Sequence, residues 1–116
     1  MKYSSSFYYD LEFGEVSEKW VKELFDGGYK VEVKSDRIAD KTGNLFIEVY
    51  YKGNPSGIST TISDYWIYRL STNDTAIIVS TKRLKELVKL FYKGKFTKGG
   101  DNNTSLGVII PIRKIL

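Results

Sequence analysis

The sequence predicts an α/β domain: a mixed sheet of four to five strands flanked by helices. Three observations point there. Some segments carry apolar residues every three to four positions while others alternate apolar with polar, so both periods are present. The two kinds interleave in the order α-β-β-α-β-α-β. The chain has 116 residues, 41% hydrophobic and 28% charged, which suits one domain spanning 1–116 with a core of its own.

The elements follow in order. Tyr3–Phe13 is aromatic and polar and reads as an ordered lead-in or a short strand. Val16, Trp20 and Leu24 recur every four residues with Val21 beside them, predicting a helix over Val16–Phe25 that Asp26-Gly27-Gly28 stops. Tyr29–Lys34 alternates: Tyr29, Val31 and Val33 share one face, Lys30, Glu32 and Lys34 the other. Lys41–Asn44 is a turn, Leu45–Tyr51 a second strand, and Gly53–Gly57 a loop. Ser59, Thr60 or Thr61 can cap a helix carrying Ile62, Trp66 and Leu70. Thr75–Val79 is a short buried strand, and Ser80-Thr81 caps a third helix with Leu84, Leu87, Val88 and Phe91 on its core stripe. Lys98–Ser105 is a polar loop, and Leu106–Ile112 is a last strand that Pro111 places at an edge or ends.

Composition removes whole classes of chemistry. With no cysteine there are no disulfides, thiolate metal sites or cysteine nucleophiles; with no histidine, imidazole ligands and the usual neutral-pH base are gone too. Carboxylates, lysines, hydroxyls and a hard metal ion remain. Lys+Arg 18 against Asp+Glu 14 gives +4, a mild basic excess that suits nucleic acid but also many other soluble domains. No apolar run approaches the roughly 18 residues a membrane span needs, and MKYSSSFYYD lacks a signal peptide's apolar core, so a cytoplasmic protein is expected.

The informative stretch is Glu32–Lys52. On the first strand Glu32, Lys34 and Asp36 project together, unless the strand twists out and leaves Asp36 at its mouth. Glu48 interrupts an otherwise apolar and aromatic strand and needs a cation, a donor or solvent. Antiparallel pairing of these strands would bring Asp36 and Glu48 within reach of one ion. Two carboxylates and a lysine are what metal-assisted phosphodiester cleavage requires. A surface ladder from Lys34 to Glu48 accounts for the same residues without any ion.

A helix glutamate, a strand aspartate, a strand glutamate about a dozen residues on and then a helix resemble the PD-(D/E)XK nuclease superfamily, in particular small phage and archaeal-virus endonucleases and Holliday-junction resolvases. The strings FGEVSEKW, VEVKSD, TGNLFIEV, SGISTTISDYWIY and GDNNTSLGVIIPI carry the likeness, which runs from about Phe13 to Ile112. The resemblance implies a restriction-endonuclease-like core and a Mg²⁺- or Mn²⁺-dependent endonuclease acting on DNA, as a homodimer. Glu18, at the edge of the first helix's stripe, matches the helix glutamate; Asp36 matches the motif aspartate and Glu48 the acidic residue before the lysine. The lysine position itself holds Tyr50, and Lys34 or Lys52 can substitute for it. A competing register takes Glu32-Val33-Lys34 as the E-X-K element with Asp26 as the aspartate.

Ser59, Thr60 and Thr61 can hold a DNA phosphate or simply cap a helix. Lys82, Arg83, Lys85 and Lys89 form a basic face, and Lys93, Lys95 and Lys98 a basic loop. Two other classes of function fit the sequence. One is a nuclease-fold DNA-binding module that no longer cuts; the other is a protein-interaction domain using Tyr8, Tyr9, Tyr50 and Tyr51.

Overall fold

A computed structural model describes residues 5–70 and 74–116. The chain forms two compact units, one ending at Lys30 and the other running Val31–Leu116. The first holds helix α1 (Ser5–Phe25), which begins well before Val16; the opening residues of the lead-in expected over Tyr3–Phe13 lie outside the described residues. The helix ends as its glycines require. Gly27 takes φ +83°, and the Gly28 amide donates to the Glu23 carbonyl at 2.8 Å.

The second unit contains strands β1 (Val31–Ser35), β2 (Asn44–Tyr51), β3 (Asn54–Pro55), β4 (Tyr65–Arg69), β5 (Ala76–Ser80), β6 (Thr97–Gly99) and β7 (Ser105–Pro111). Among them run the short helix α2 (Ala39–Thr42), helix α3 (Thr81–Phe91) and the terminal turn of helix α4 (Ile112–Ile115). The class is α/β, but the single sheet expected from the sequence is two. One is three-stranded and mixed, in the order β1-β4-β5; the other is four-stranded and antiparallel, in the order β3-β2-β7-β6.

Both sheets contribute to one core. Leu45, Ile47 and Val49 of β2 and Val108 and Ile110 of β7 meet Trp66 and Tyr68 of β4, Val79 of β5, and Leu84 and Leu87 of α3. The core stripe read for α3 is the one observed, and the Ser80 hydroxyl accepts from the Arg83 amide at 3.1 Å, as an N-cap should. The polar loop read over Lys98–Ser105 is shorter than expected, because Thr97–Gly99 pairs with β7 as β6.

Two expectations fail. The helix read from Ile62, Trp66 and Leu70 is absent, and Tyr65–Arg69 is β4, parallel to β1 and antiparallel to β5. A spacing of four is also twice the strand period, and Trp66 and Tyr68 are the buried pair on one face. The rings of that pair stack with centroids 5.9 Å apart. Nor do β1 and β2 pair with each other. The connection through Asp36 and α2 sends β2 into the other sheet, and β1 pairs with β4 instead.

Candidate active site

β1 carries its charges on the face it shares with the aromatic residues of β4. In the parallel pairing Glu32 lies beside Trp66 and Lys34 beside Tyr68, so these four side chains share a face. Val33, on the opposite face, is 66% exposed. A strand that displays its valine and directs glutamate and lysine toward aromatic core residues breaks the usual patterning, and such breaks gather at functional sites.

The second sheet supplies the facing wall. Glu48 sits mid-strand on β2 opposite Gly107 of β7. Its two carboxylate oxygens accept hydrogen bonds from the Ser56 hydroxyl at 3.0 Å and from the Ser105 hydroxyl at 2.5 Å. Ser105 is itself buried, at 4% exposure, so its hydroxyl has little water to turn to. Gly57 comes against this strand with φ +56°; a Cβ there would lie 2.4 Å from the Glu48 carbonyl oxygen, so only glycine fits.

Immediately after Glu48 the β2–β7 register shifts. Glu48 faces Gly107, yet Tyr50 faces Leu106 and Tyr51 faces Ser105. This bulge inserts one residue and exchanges the faces beyond it. Tyr50, the residue at the expected lysine position, turns away, packs against the core and meets Phe96 edge-on at 5.5 Å. Tyr51 takes its place on the Glu48 side. That one inserted residue is why the tyrosine at the expected lysine position does not face Glu48.

A cleft of about 520 Å³ opens between the walls, lined by Lys34, Glu48, Tyr51, Lys52, Asn102 and Ser105 among others. Both candidate lysines are therefore at the same cleft as Glu48. The Lys34 ammonium lies 3.5 Å from Glu32, and both side chains are partly exposed; its partner is not Glu48, so the cross-strand ladder is not formed. The Lys52 ammonium lies 5.4 Å from the centre of the Tyr51 ring.

Asp36 stands just past β1 and is held differently. One carboxylate oxygen accepts the Ile38 amide at 3.3 Å and the other the Phe46 amide at 3.2 Å, tying the end of β1 to the start of β2. Tyr68 registers these charges together. It is buried at 4% exposure, and burial first, then the charges of Asp36, Glu32 and Glu48, raise its phenol pKa above the ordinary range. Sequence reading misses Tyr68, Ser56 and Ser105. Tyr68 lay in the misassigned helix, and Ser105 reaches Glu48 from 57 residues away.

Glu18 is on the exposed surface of α1 in the N-terminal unit. Asp26, the aspartate of the competing register, also belongs to that unit, in the turn after α1. Ser59, Thr60 and Thr61 lead into no helix, so the amide and dipole part of the phosphate expectation falls. The Ser59 hydroxyl donates to the Val49 carbonyl at 2.8 Å, and the Thr61 hydroxyl accepts from the Ser63 amide at 3.1 Å. Lys82, Arg83, Lys85 and Lys89 are exposed along α3.

Among the described residues no group of three or more Asp, Glu, His or Cys comes together as a metal site, and no helix is long and apolar enough to cross a membrane. By donor type, Asp36 and Glu48 suit a hard divalent ion: each offers carboxylate oxygens, and an oxygen that accepts one hydrogen bond keeps a further lone pair. No family model, curated protein or solved structure matches the chain.

Proposed function

We propose that the chain is a metal-dependent endodeoxyribonuclease with a restriction-endonuclease-like core. The observation that carries this reading is that Lys34 on β1 opens on the same cleft as Glu48 of β2 although the two strands belong to different sheets. An ammonium and a carboxylate across a polar cleft, with a second lysine at its rim, suit a phosphodiester. The resemblance to PD-(D/E)XK nucleases, phage endonucleases and junction resolvases among them, leads to the same chemistry.

In this reading Asp36 and Glu48 would hold Mg²⁺ or Mn²⁺, which when bound supplies Lewis-acid polarisation and charge neutralisation for phosphodiester hydrolysis. Lys34 steadies charge developing on the phosphate. Lys52 binds the DNA backbone. The Ser56 and Ser105 hydroxyls orient the Glu48 carboxylate. A single domain offers one such cleft, so cutting both strands calls for a homodimer.

One observation favours a second reading. Every carboxylate oxygen of Asp36 and Glu48 already accepts a hydrogen bond, and the motif's lysine position is a tyrosine turned into the core. A DNA-binding module that does not cut would look like this.

Cleavage of labelled duplex, single-stranded and four-way-junction DNA with Mg²⁺, Mn²⁺ or EDTA separates the two. The nuclease reading expects metal-dependent cutting that falls by about 10²-fold or more in Glu48→Gln and Lys34→Ala. Glu18→Gln, run alongside, reports whether the helix glutamate takes part. Salt-sensitive binding without cutting at any metal selects the binding module. Neither binding nor cutting ends both readings.

A further inference from the structure

We propose that Tyr51 is a stacking platform for an unpaired nucleobase, so that the cleft takes DNA carrying at least one nucleotide out of the helical stack. The inference rests on the nucleic-acid reading above and names the substrate class of that same site.

The placement of the ring is built in. The bulge after Glu48 brings Tyr51, in place of Tyr50, to the cleft. The two-residue turn Lys52-Gly53 then closes the hairpin, with Tyr51 paired to Asn54 and both turn residues at positive φ, +48° and +80°. The Lys52 amide donates to the Thr104 carbonyl at 2.9 Å, fastening the hairpin to the neighbouring loop. The ring sits on a rigid corner, yet 45% of the residue stays exposed. Tyr50, its neighbour, is half-buried against Phe96 and the core.

The surroundings select the ligand. The Lys52 ammonium stands over one face of the ring, 5.4 Å from its centre, so a stacked base takes the other face and the ammonium serves the attached phosphate. Asn102, on the same cleft, offers both a donor and an acceptor to a base edge. Within intact duplex each base has both faces covered and shows only its edges in the grooves. A base can therefore reach the Tyr51 ring only after leaving the stack, as at a single strand, a fork or a branch point. A cleft of about 520 Å³ is also of the size that receives one small-molecule-sized group.

The test measures binding of the full chain in EDTA at fixed salt. The probes are a single-stranded oligonucleotide and a forked duplex carrying 2-aminopurine at the unpaired position, and a fully paired duplex of the same length. The wild type is expected to bind the unpaired probes more tightly than the duplex and to quench 2-aminopurine. Tyr51→Ala is expected to weaken unpaired binding by about 5- to 100-fold and abolish the quenching, while leaving duplex binding within about twofold. Tyr51→Phe keeps the ring and should stay within about twofold on every probe. Equal binding of all probes by the wild type, or Tyr51→Ala behaving as wild type, overturns the platform while leaving the nuclease reading intact. A wild type that binds no probe overturns the platform; if it also cuts nothing with Mg²⁺ or Mn²⁺, both readings fall and the exposed tyrosines belong to a protein interface.

Discussion

The two carboxylates that a linear reading places at one metal site are held by opposite means. Asp36 accepts backbone amides, those of Ile38 and Phe46; Glu48 accepts hydroxyls, those of Ser56 and Ser105. An amide is fixed by the chain, so Asp36 works as a structural clasp between β1 and β2 whatever else it does. A hydroxyl rotates and can both donate and accept, so Glu48 sits in a setting that tolerates a change of ligand or charge. One acid is part of the scaffold, and the other is carried by it.

The largest effect expected from that contrast is on stability. Asp36→Ala leaves the Ile38 and Phe46 amides without their acceptor and should cost about 2 kcal/mol, seen as a lower urea midpoint at unchanged m. Asp36→Asn keeps one oxygen and should lose less. Glu48→Gln should cost under about 1 kcal/mol, because the amide can accept from one serine and donate to the other. In cleavage both positions should fail, but Glu48→Gln should fail while keeping its fold. Equal stability costs at the two positions would erase the distinction between clasp and ligand.

Tyr68 sharpens the comparison because it lies within the field of both acids. Its phenol pKa is raised by burial and then by Asp36, Glu32 and Glu48, so the folded state holds the proton longer than the unfolded chain does. The sign follows directly. Its contribution is complete below about pH 10, where the unfolded phenol titrates, and is lost as pH rises from there toward the folded value. Wild-type stability minus that of Tyr68→Phe should therefore fall by up to about 1.4 kcal/mol per pH unit above pH 10. The other tyrosines cancel in the difference. Adding Glu48→Gln or Asp36→Asn to both members of the pair should leave the initial slope and make the fall level off at a lower pH. A difference that stays flat with pH would mean that neither burial nor the acids raise the Tyr68 phenol, and an unmoved end point in the double variants would mean that it does not feel the acids.

How far this arrangement can be read without coordinates depends on the range of each interaction. Helix α3 and its Ser80 cap are local, and periodicity with a capping residue finds them. The stop after α1 and the run of β2 are equally local. β4 escapes because Ile62, Trp66 and Leu70 satisfy two periods at once, and only pairing to β1 and β5 decides between them. Lys34 and Glu48 can be chosen from residue type, but their cleft cannot, since it needs two sheets joined through nonlocal contacts. The bulge is the least legible feature. Nothing in Glu48-Val49-Tyr50-Tyr51 announces the extra residue, and it alone decides which tyrosine faces the acid.

The smallest expected effect lies at the corner the bulge creates, and there stability and binding should part company. Lys52 occupies the first position of a turn with φ +48°, a conformation that costs a lysine more than an asparagine. Asn-Gly would make the same turn with less strain, so the fold alone does not call for a lysine at that position. Lys52→Asn should raise stability by about 0.5 kcal/mol, since the turn relaxes and an exposed ammonium is removed. The same variant should bind DNA more weakly and lower the slope of log affinity against log salt by about one, the signature of one lost phosphate contact. Thermal melting and a salt titration on the same preparation read both halves. A loss of stability would show the lysine to be structural. An unchanged salt slope would move the phosphate contact to Lys34, on the wall that β1 gives the cleft.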